Sequence, residues 1–198
     1  MAVSKTQSVS GSKRADAKRQ HVLDAAEGLL RDGKADFSMR DLASRAEVSF
    51  ATPFNQFGSK AAIMHALSAR RIAAMRTRLS EAPADLGAGE RVLLAVDTAV
   101  AVMLEAPAVN RTVMGWLGAA GPVAGDVWTH SAALWKQALG AGAGLSITGQ
   151  PEALSRLAGH LAFGFRGVLS FWTAGEMSDD TLRLHARETA EALLKGLH

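Results

Sequence analysis

Between Ser38 and Lys60 the chain gathers side chains that share one chemistry, hydrogen bonding to an anion or to a flat heteroaromatic edge: Arg40, Ser49, Thr52, Asn55, Gln56 and Lys60. Cationic, hydroxyl and amide groups of this kind reach phosphate oxygens, and guanidinium and amide groups also match the edges of bases. Catalytic spacings are missing. There is no Gly-x-Ser-x-Gly, no Walker loop and no His-Glu-x-x-His, and the run Gly140-x-Gly142-x-Gly144 follows no strand pattern. The chain has no cysteine, which removes disulfides, thiolate zinc sites and thiol nucleophiles. His130 and His160 lack a second histidine or a glutamate at ligand spacing, so neither a metal nor a cofactor is expected.

The charge distribution supports a polyanionic partner. The net charge over 198 residues is only +3, but residues 1–80 hold 14 Lys and Arg against 7 Asp and Glu, or +7. Residues 81–198 hold 8 against 12, or −4. Such asymmetry marks one part built for a polyanion and another built for something else. Residues 1–11 carry no apolar signal-peptide core, and the apolar stretch Leu161 to Trp172 is interrupted by Arg166 and glycines. The expectation is a soluble, cytoplasmic protein without membrane association.

These residues need a scaffold, and its pattern is helical throughout. Sustained alternation is missing, tyrosine is absent, and Ala, Leu, Arg and Glu recur at helical spacings. With 48% hydrophobic and 21% charged residues the chain can bury a core. The pattern predicts an all-α fold of about nine helices: a flexible basic tail over 1–15, a head over 16–80 and a helical body over 81–198. In the head a first helix runs from Asp16 to Asp32, with Val22, Ala26 and Leu29 inward and Gly33 at its stop. Ser38 and Asp41 form a capping box for a helix over Met39–Ala46. Ser49 caps a third over Phe50–Phe57, and Ser59 caps a fourth that carries Ile63 and Leu67. Body helices are expected near 89–105, 108–119, 123–140, 151–174 and 178–196. Pro107, Pro122 and Pro151 lie at boundaries, and Gly140 to Gln150 has no regular pattern.

Two short helices joined by Glu47-Val48-Ser49 in the basic part read as a helix-turn-helix, motif about 39–59, with Val48 as the pivot. Here the chain resembles the TetR family of bacterial transcriptional regulators. The resemblance rests on Ser38-Met39-Arg40-Asp41-Leu42-Ala43, on Ala46-Glu47-Val48-Ser49 and on Thr52-Pro53-Phe54-Asn55-Gln56-Phe57-Gly58-Ser59-Lys60, over about residues 17–77. It implies double-stranded DNA as partner, with a pseudo-palindromic operator. Contacts are implied for Arg40, Ser49, Phe50, Ala51, Thr52, Phe54, Asn55 and Gln56, and Lys60 is implied as a phosphate clamp. Two positions depart from the family pattern. Glu47 replaces a turn glycine, so the turn either avoids a positive φ or adopts one at a cost. Phe54 replaces a tyrosine and cannot donate a hydrogen bond. Pro53 falls in the first turn of the recognition helix; alternatively Thr52 is the cap, which would shift the contacting set. Lys13, Arg14, Lys18 and Arg19 are either a solvated run or a set lying along phosphates.

The body's chemistry is apolar. Trp116, Trp128, Trp135 and Trp172, with Met103, Met114, Phe163 and Phe171, suit both a core and a concave small-molecule site. Arg166 in an apolar helix requires a partner such as a ligand carboxylate or a neighbouring Glu, or else it snorkels to the surface. Leu157, Leu161, Phe165 and Leu169, with Leu182, Ala186 and Leu193, are expected to pair with a second copy in a four-helix homodimer interface, as the resemblance implies. The resulting expectation is a non-enzymatic, ligand-responsive repressor released by a small apolar effector. The rival readings are a helical DNA-binding protein without effector and a small helical enzyme using the aromatic pocket.

Overall fold

The computed structural model describes the backbone of residues 4–118 and 126–197, and the side chains of residues 14–118 and 126–197. Among the described residues all regular structure is helical: α1 (Ser4–Arg31), α2 (Met39–Arg45), α3 (Ala51–Phe57), α4 (Lys60–Ser80), α5 (Ala88–Leu104), α6 (Pro107–Gly118), α7 (Val127–Leu139), α8 (Pro151–Ala174) and α9 (Asp179–Leu194). The all-α expectation holds, and Pro122 lies outside the described residues. No single helix among them is long and apolar enough to cross a membrane.

The chain divides into two compact units, Met1–Leu67 and Ser68–His198. The division falls inside α4, not near residue 80, because one helix serves two cores. Its residues Ile63, Met64 and Leu67 are buried in the first unit, whereas Met75 and Leu79 belong to the core cluster of the second.

In the first unit α1 buries Val22, Leu23, Ala26, Leu29 and Leu30, the face its spacing predicts. The helix begins at Ser4, where the sequence pattern suggests a tail. No proline stands between Ser4 and Asp16 to stop it, and extending a formed helix needs no new nucleus. Gly33, at φ 75°, ends it, with the Lys34 N–H donating to the Leu29 carbonyl at 2.9 Å. Phe37 is buried in the following loop and adds about 1.5–3 kcal/mol of hydrophobic stabilisation to a small core. The capping box at α2 is formed in both directions. The Asp41 N–H donates to Ser38 Oγ at 3.1 Å, and the Ser38 N–H donates to Asp41 Oδ2 at 2.8 Å.

In the second unit α5 is the central element. It buries Val92, Ala95, Val96, Ala99, Val100 and Met103 and packs on α7 and α9, while α8 packs on α6, α7 and α9. One carboxylate joins three helices. Asp179 Oδ1, at the start of α9, accepts from Trp172 Nε1 of α8 and from Arg111 Nη2 of α6, each at 2.7 Å. Arg91 donates to the carbonyls of Gln137 and Ala138, at 3.2 and 3.1 Å, so two otherwise orphaned groups at the end of α7 are satisfied. The glycine-rich segment 140–150 is irregular, as its composition predicts, but it is tied down. The Ala88 N–H donates to the Ala143 carbonyl at 2.8 Å, and Leu145 is buried in the core. Ser178 caps α9 by accepting from the Thr181 N–H at 3.2 Å.

Candidate nucleic-acid interface and ligand cavity

The helix pair α2–α3 is fixed by its turn and by α1. Leu42, Ala43 and Ala46 are buried, and the Val48 N–H donates to the Ala43 carbonyl at 3.0 Å, so α2 is followed by a tight reversal. Val48, the expected pivot, is half-buried. Glu47 takes φ 51°, the one non-glycine residue with positive φ among those described. Of the two routes open to this turn the chain takes the strained one. Two α1 side chains hold the pair from behind. The His21 ring donates through Nε2 to the Ala46 carbonyl at 2.8 Å, so that nitrogen carries its proton. Arg19 donates to the Gln56 carbonyl at 2.8 Å and lies 4.1 Å from the centre of the Phe57 ring. Charge runs alone gave no sign that Arg19 locks the end of α3, and nothing in the sequence singled out His21.

The exposed face of α3 follows from its helical spacing. Pro53 and Phe57, four apart, face inward, while Phe50, Ala51, Phe54 and Asn55 face outward. Phe50 and Phe54 pack edge to face at 5.3 Å, and the Arg40 guanidinium of α2 lies 5.6 Å from the Phe50 ring. Arg40, Ser49 and this outward set therefore form one surface of exposed cation, hydroxyl, amide and apolar groups. Pro53 is the third residue of α3, so the alternative start at Thr52 is not adopted. The N-cap residue is Phe50, without a side-chain cap. Ser49 does not cap the backbone as expected; its hydroxyl shares a 2.8 Å hydrogen bond with the hydroxyl of half-buried Thr52. Gln56 is also half-buried, and its Oε1 is enclosed without a partner.

Lys60 is placed differently from a free clamp. Its Nζ donates to the Ala35 carbonyl at 2.6 Å and lies 4.4 Å from the Phe37 ring, and partial burial pulls its pKa below the usual lysine range. Asp41 is shifted for another reason. The Ser38 backbone N–H, then the Ser38 hydroxyl, stabilise its carboxylate and lower its pKa.

The second unit contains a cavity of about 50 Å³, counted as space open to the centre of a water-sized sphere. Met75, Met103, Met114, Leu134, Phe165 and Leu169 supply apolar walls; Ser68, Arg71, Asn110, Ser131 and Arg166 are its polar members. Of the aromatic and methionine set expected from sequence, Met103, Met114 and Arg166 line it. The four tryptophans do not. Trp135 and Trp172 are sealed in the core, whereas Trp116 and Trp128 are exposed, as are Phe163 and Phe171. The cause is phase: Phe163 and Phe171 occupy the opposite side of α8 from Phe165 and Leu169. Composition could not separate these faces. Asn110 carries the missed signal, an amide deep in an apolar helix. Its Nδ2 donates to the Val102 and Met103 carbonyls at 3.2 and 2.8 Å, and its Oδ1 accepts from Arg71 Nε at 3.0 Å.

The residues expected at a homodimer interface are also placed elsewhere. Leu157, Leu161, Phe165, Leu169, Leu182 and Ala186 are buried within the protomer, where α8 packs on α6, α7 and α9, and only Leu193 is half-buried. Among the residues that α8 leaves exposed, His160, Phe163, Gly167 and Phe171 line up in one stripe. Phe163 is 63% exposed and stacks at 4.5 Å on Trp128, itself 49% exposed. Among the described residues no group of three or more histidine, aspartate or glutamate side chains could hold a metal ion.

Residues 22–74 match the family model for bacterial regulatory proteins, tetR family. No curated protein matches the chain. Among solved structures, it is similar to a TetR transcriptional regulator from Rhodococcus sp. RHA1, with 22% identity and a TM-score of 0.76 over 94% of this chain and 100% of that one. It is also similar to a chain from Mesorhizobium loti MAFF303099 assigned to the TetR family of transcriptional regulators, with 19% identity and a TM-score of 0.51 over 91% of this chain and 96% of that one.

Proposed function

From a chain whose residues 22–74 belong to the TetR family of bacterial regulatory proteins, we propose a ligand-responsive repressor that binds a pseudo-palindromic operator as a homodimer in the cytoplasm. The observation that carries this reading is the braced α2–α3 pair, which presents Arg40, Ser49, Phe50, Ala51, Phe54 and Asn55 outward from the basic part of the chain. Such a surface supplies the contacts that a helix in the major groove needs, with Asn55 and Arg40 suited to base edges or phosphates and Phe50 and Phe54 to sugars or thymine methyls. Thr52 through the Ser49 hydroxyl, and the Gln56 backbone carbonyl through Arg19, set the pose of α3, and Lys60 holds the Ala35 loop.

Dimerisation uses the exposed stripe of α8, His160, Phe163, Gly167 and Phe171, with Leu184 of α9 also exposed. A patch of large apolar side chains on a soluble protein is a common mark of an interface. Two heads would then read half-sites about 34–36 Å apart or a multiple of that spacing. The cavity supports response to an effector, because a ligand changes operator affinity only through unequal affinity for two conformations. An enzymatic reading finds no catalytic constellation to rest on among the described residues.

A mobility shift with DNA from upstream of the protein's own coding region tests the reading. A sequence-dependent shift that weakens steeply with added salt is expected. Equal retardation of unrelated DNA, or no shift at any salt concentration, overturns it.

A further inference from the structure

The cavity of the second unit is apolar in its walls but not in its charge. Among its lining residues there is no aspartate or glutamate, yet two guanidinium groups, Arg71 and Arg166, belong to it. Arg71 is oriented through its Nε by the amide of Asn110, which is itself fixed by two α5 carbonyls. Arg166 is different. It is half-buried on α8, and among the described residues no carboxylate pairs with it; its Nη1 only touches the Met114 thioether, at 3.3 Å. Burial also lowers its pKa, so the surroundings resist its charge without answering it.

A purely apolar ligand filling this space would remove water from Arg166 and return nothing, and a neutral hydroxyl would return a single uncharged hydrogen bond, which is the costly way to bury a charge. An anion would supply the missing partner. A planar carboxylate matches one guanidinium fork with two parallel hydrogen bonds and a single negative charge. The cavity's small size admits a slim tail, and Met75, Met103, Phe165 and Leu169 offer it apolar walls.

We infer that the ligand of this cavity is an amphipathic monocarboxylate, paired through its carboxylate with Arg166 and with its tail against the methionine-rich wall. This rests on the effector reading above and replaces a purely apolar effector with an anionic one.

The test uses the full-length protein without DNA and follows binding calorimetrically with straight-chain carboxylates from hexanoate to dodecanoate, and with octanol as the neutral match of octanoate. At least one carboxylate is expected to bind, and octanoate at least tenfold more tightly than octanol. Arg166→Met is expected to weaken octanoate at least tenfold and to improve octanol, with Arg166→Gln as a second variant in case the first fails to fold. Equal affinity for octanoate and octanol, no binding across the series, or undiminished octanoate binding by both variants would overturn the inference. Operator binding is measured separately. Failure of carboxylate binding with an intact, sequence-dependent DNA shift sinks the ligand class alone, while loss of the shift with intact carboxylate binding sinks the regulator reading.

Discussion

Glu47 holds the turn between α2 and α3 at φ 51°, a conformation that costs an L-residue about 1–2 kcal/mol because its Cβ crowds the following carbonyl oxygen. Glycine has no Cβ, but it gives back roughly 0.5–1 kcal/mol through the greater freedom of its unfolded chain. Glu47→Gly should therefore stabilise the first unit by about 0.5–1 kcal/mol. For a unit of this size such a gain raises its melting midpoint by about 2–8 °C. Glu47→Ala separates the causes, since it removes the same carboxylate but keeps the Cβ, and should bring no comparable gain. Thermal and urea unfolding of both variants, followed by circular dichroism, measure the difference. If alanine stabilises as much as glycine, the carboxylate and not the backbone was at fault. If glycine brings nothing, the positive φ is not a strain this head carries.

Five further outcomes, at four positions, follow from the contacts of other side chains. Asp41 is held below its usual value near 3.8 by the Ser38 N–H and then the Ser38 hydroxyl, so its stabilisation is complete above that value and is lost as pH falls through the lowered one; Asp41→Asn should flatten the acid limb of the stability profile. Asp179→Asn should cost under about 1 kcal/mol, since it gives up a half-exposed ion pair with Arg111 and can still accept from Trp172. Asp179→Ala should cost about 1–3 kcal/mol by leaving the buried Trp172 N–H without an acceptor, and chemical denaturation of the pair resolves the two. Lys60→Met should destabilise the first unit by about 1 kcal/mol and leave the salt slope of operator binding unchanged; a slope smaller by about one unit would return Lys60 to a phosphate. Arg19→Ala should loosen the end of α3 and weaken binding to all DNA sequences in parallel, and competition between specific and unrelated DNA reads that loss.

Local signals were legible because they act over a few residues. Ser38 with Asp41, Ser178, Gly33 and Pro151 punctuate the sequence, and the helices begin or end beside them. The head was legible for the same reason, since its apolar positions repeat at helical spacing and its motif is contiguous. Ser49 shows the limit, because α3 starts at Ala51 with Phe50 as its N-cap, one residue past the position where a serine cap signal places it. The body was harder, since α8 is apolar on several sides and spacing cannot say which side meets its own protomer. Spacing alone offers Leu161 and Phe165 to an interface, yet they are buried within the protomer, and it offers Phe163 and Phe171 to the cavity, yet they are exposed on another side of α8. Asn110 and Arg71 meet across 39 positions of sequence, a distance at which no periodicity speaks.

The wall of the cavity has a consequence in oxidative chemistry. The chain lacks cysteine, so its sulfur is all thioether, and three of its seven methionines, Met75, Met103 and Met114, line this one space. Each sulfoxide formed there would turn a soft apolar wall polar and chiral. Met64, closed within the first unit's core, has no such exposure to a cavity. A peroxide footprint should reach half-buried Met39 and Met177 first and the three buried cavity sulfurs more slowly, and whatever fills the space would slow the sulfurs it covers further. The three methionines give the cavity a chemical record of its own occupancy, readable by mass without knowing the occupant.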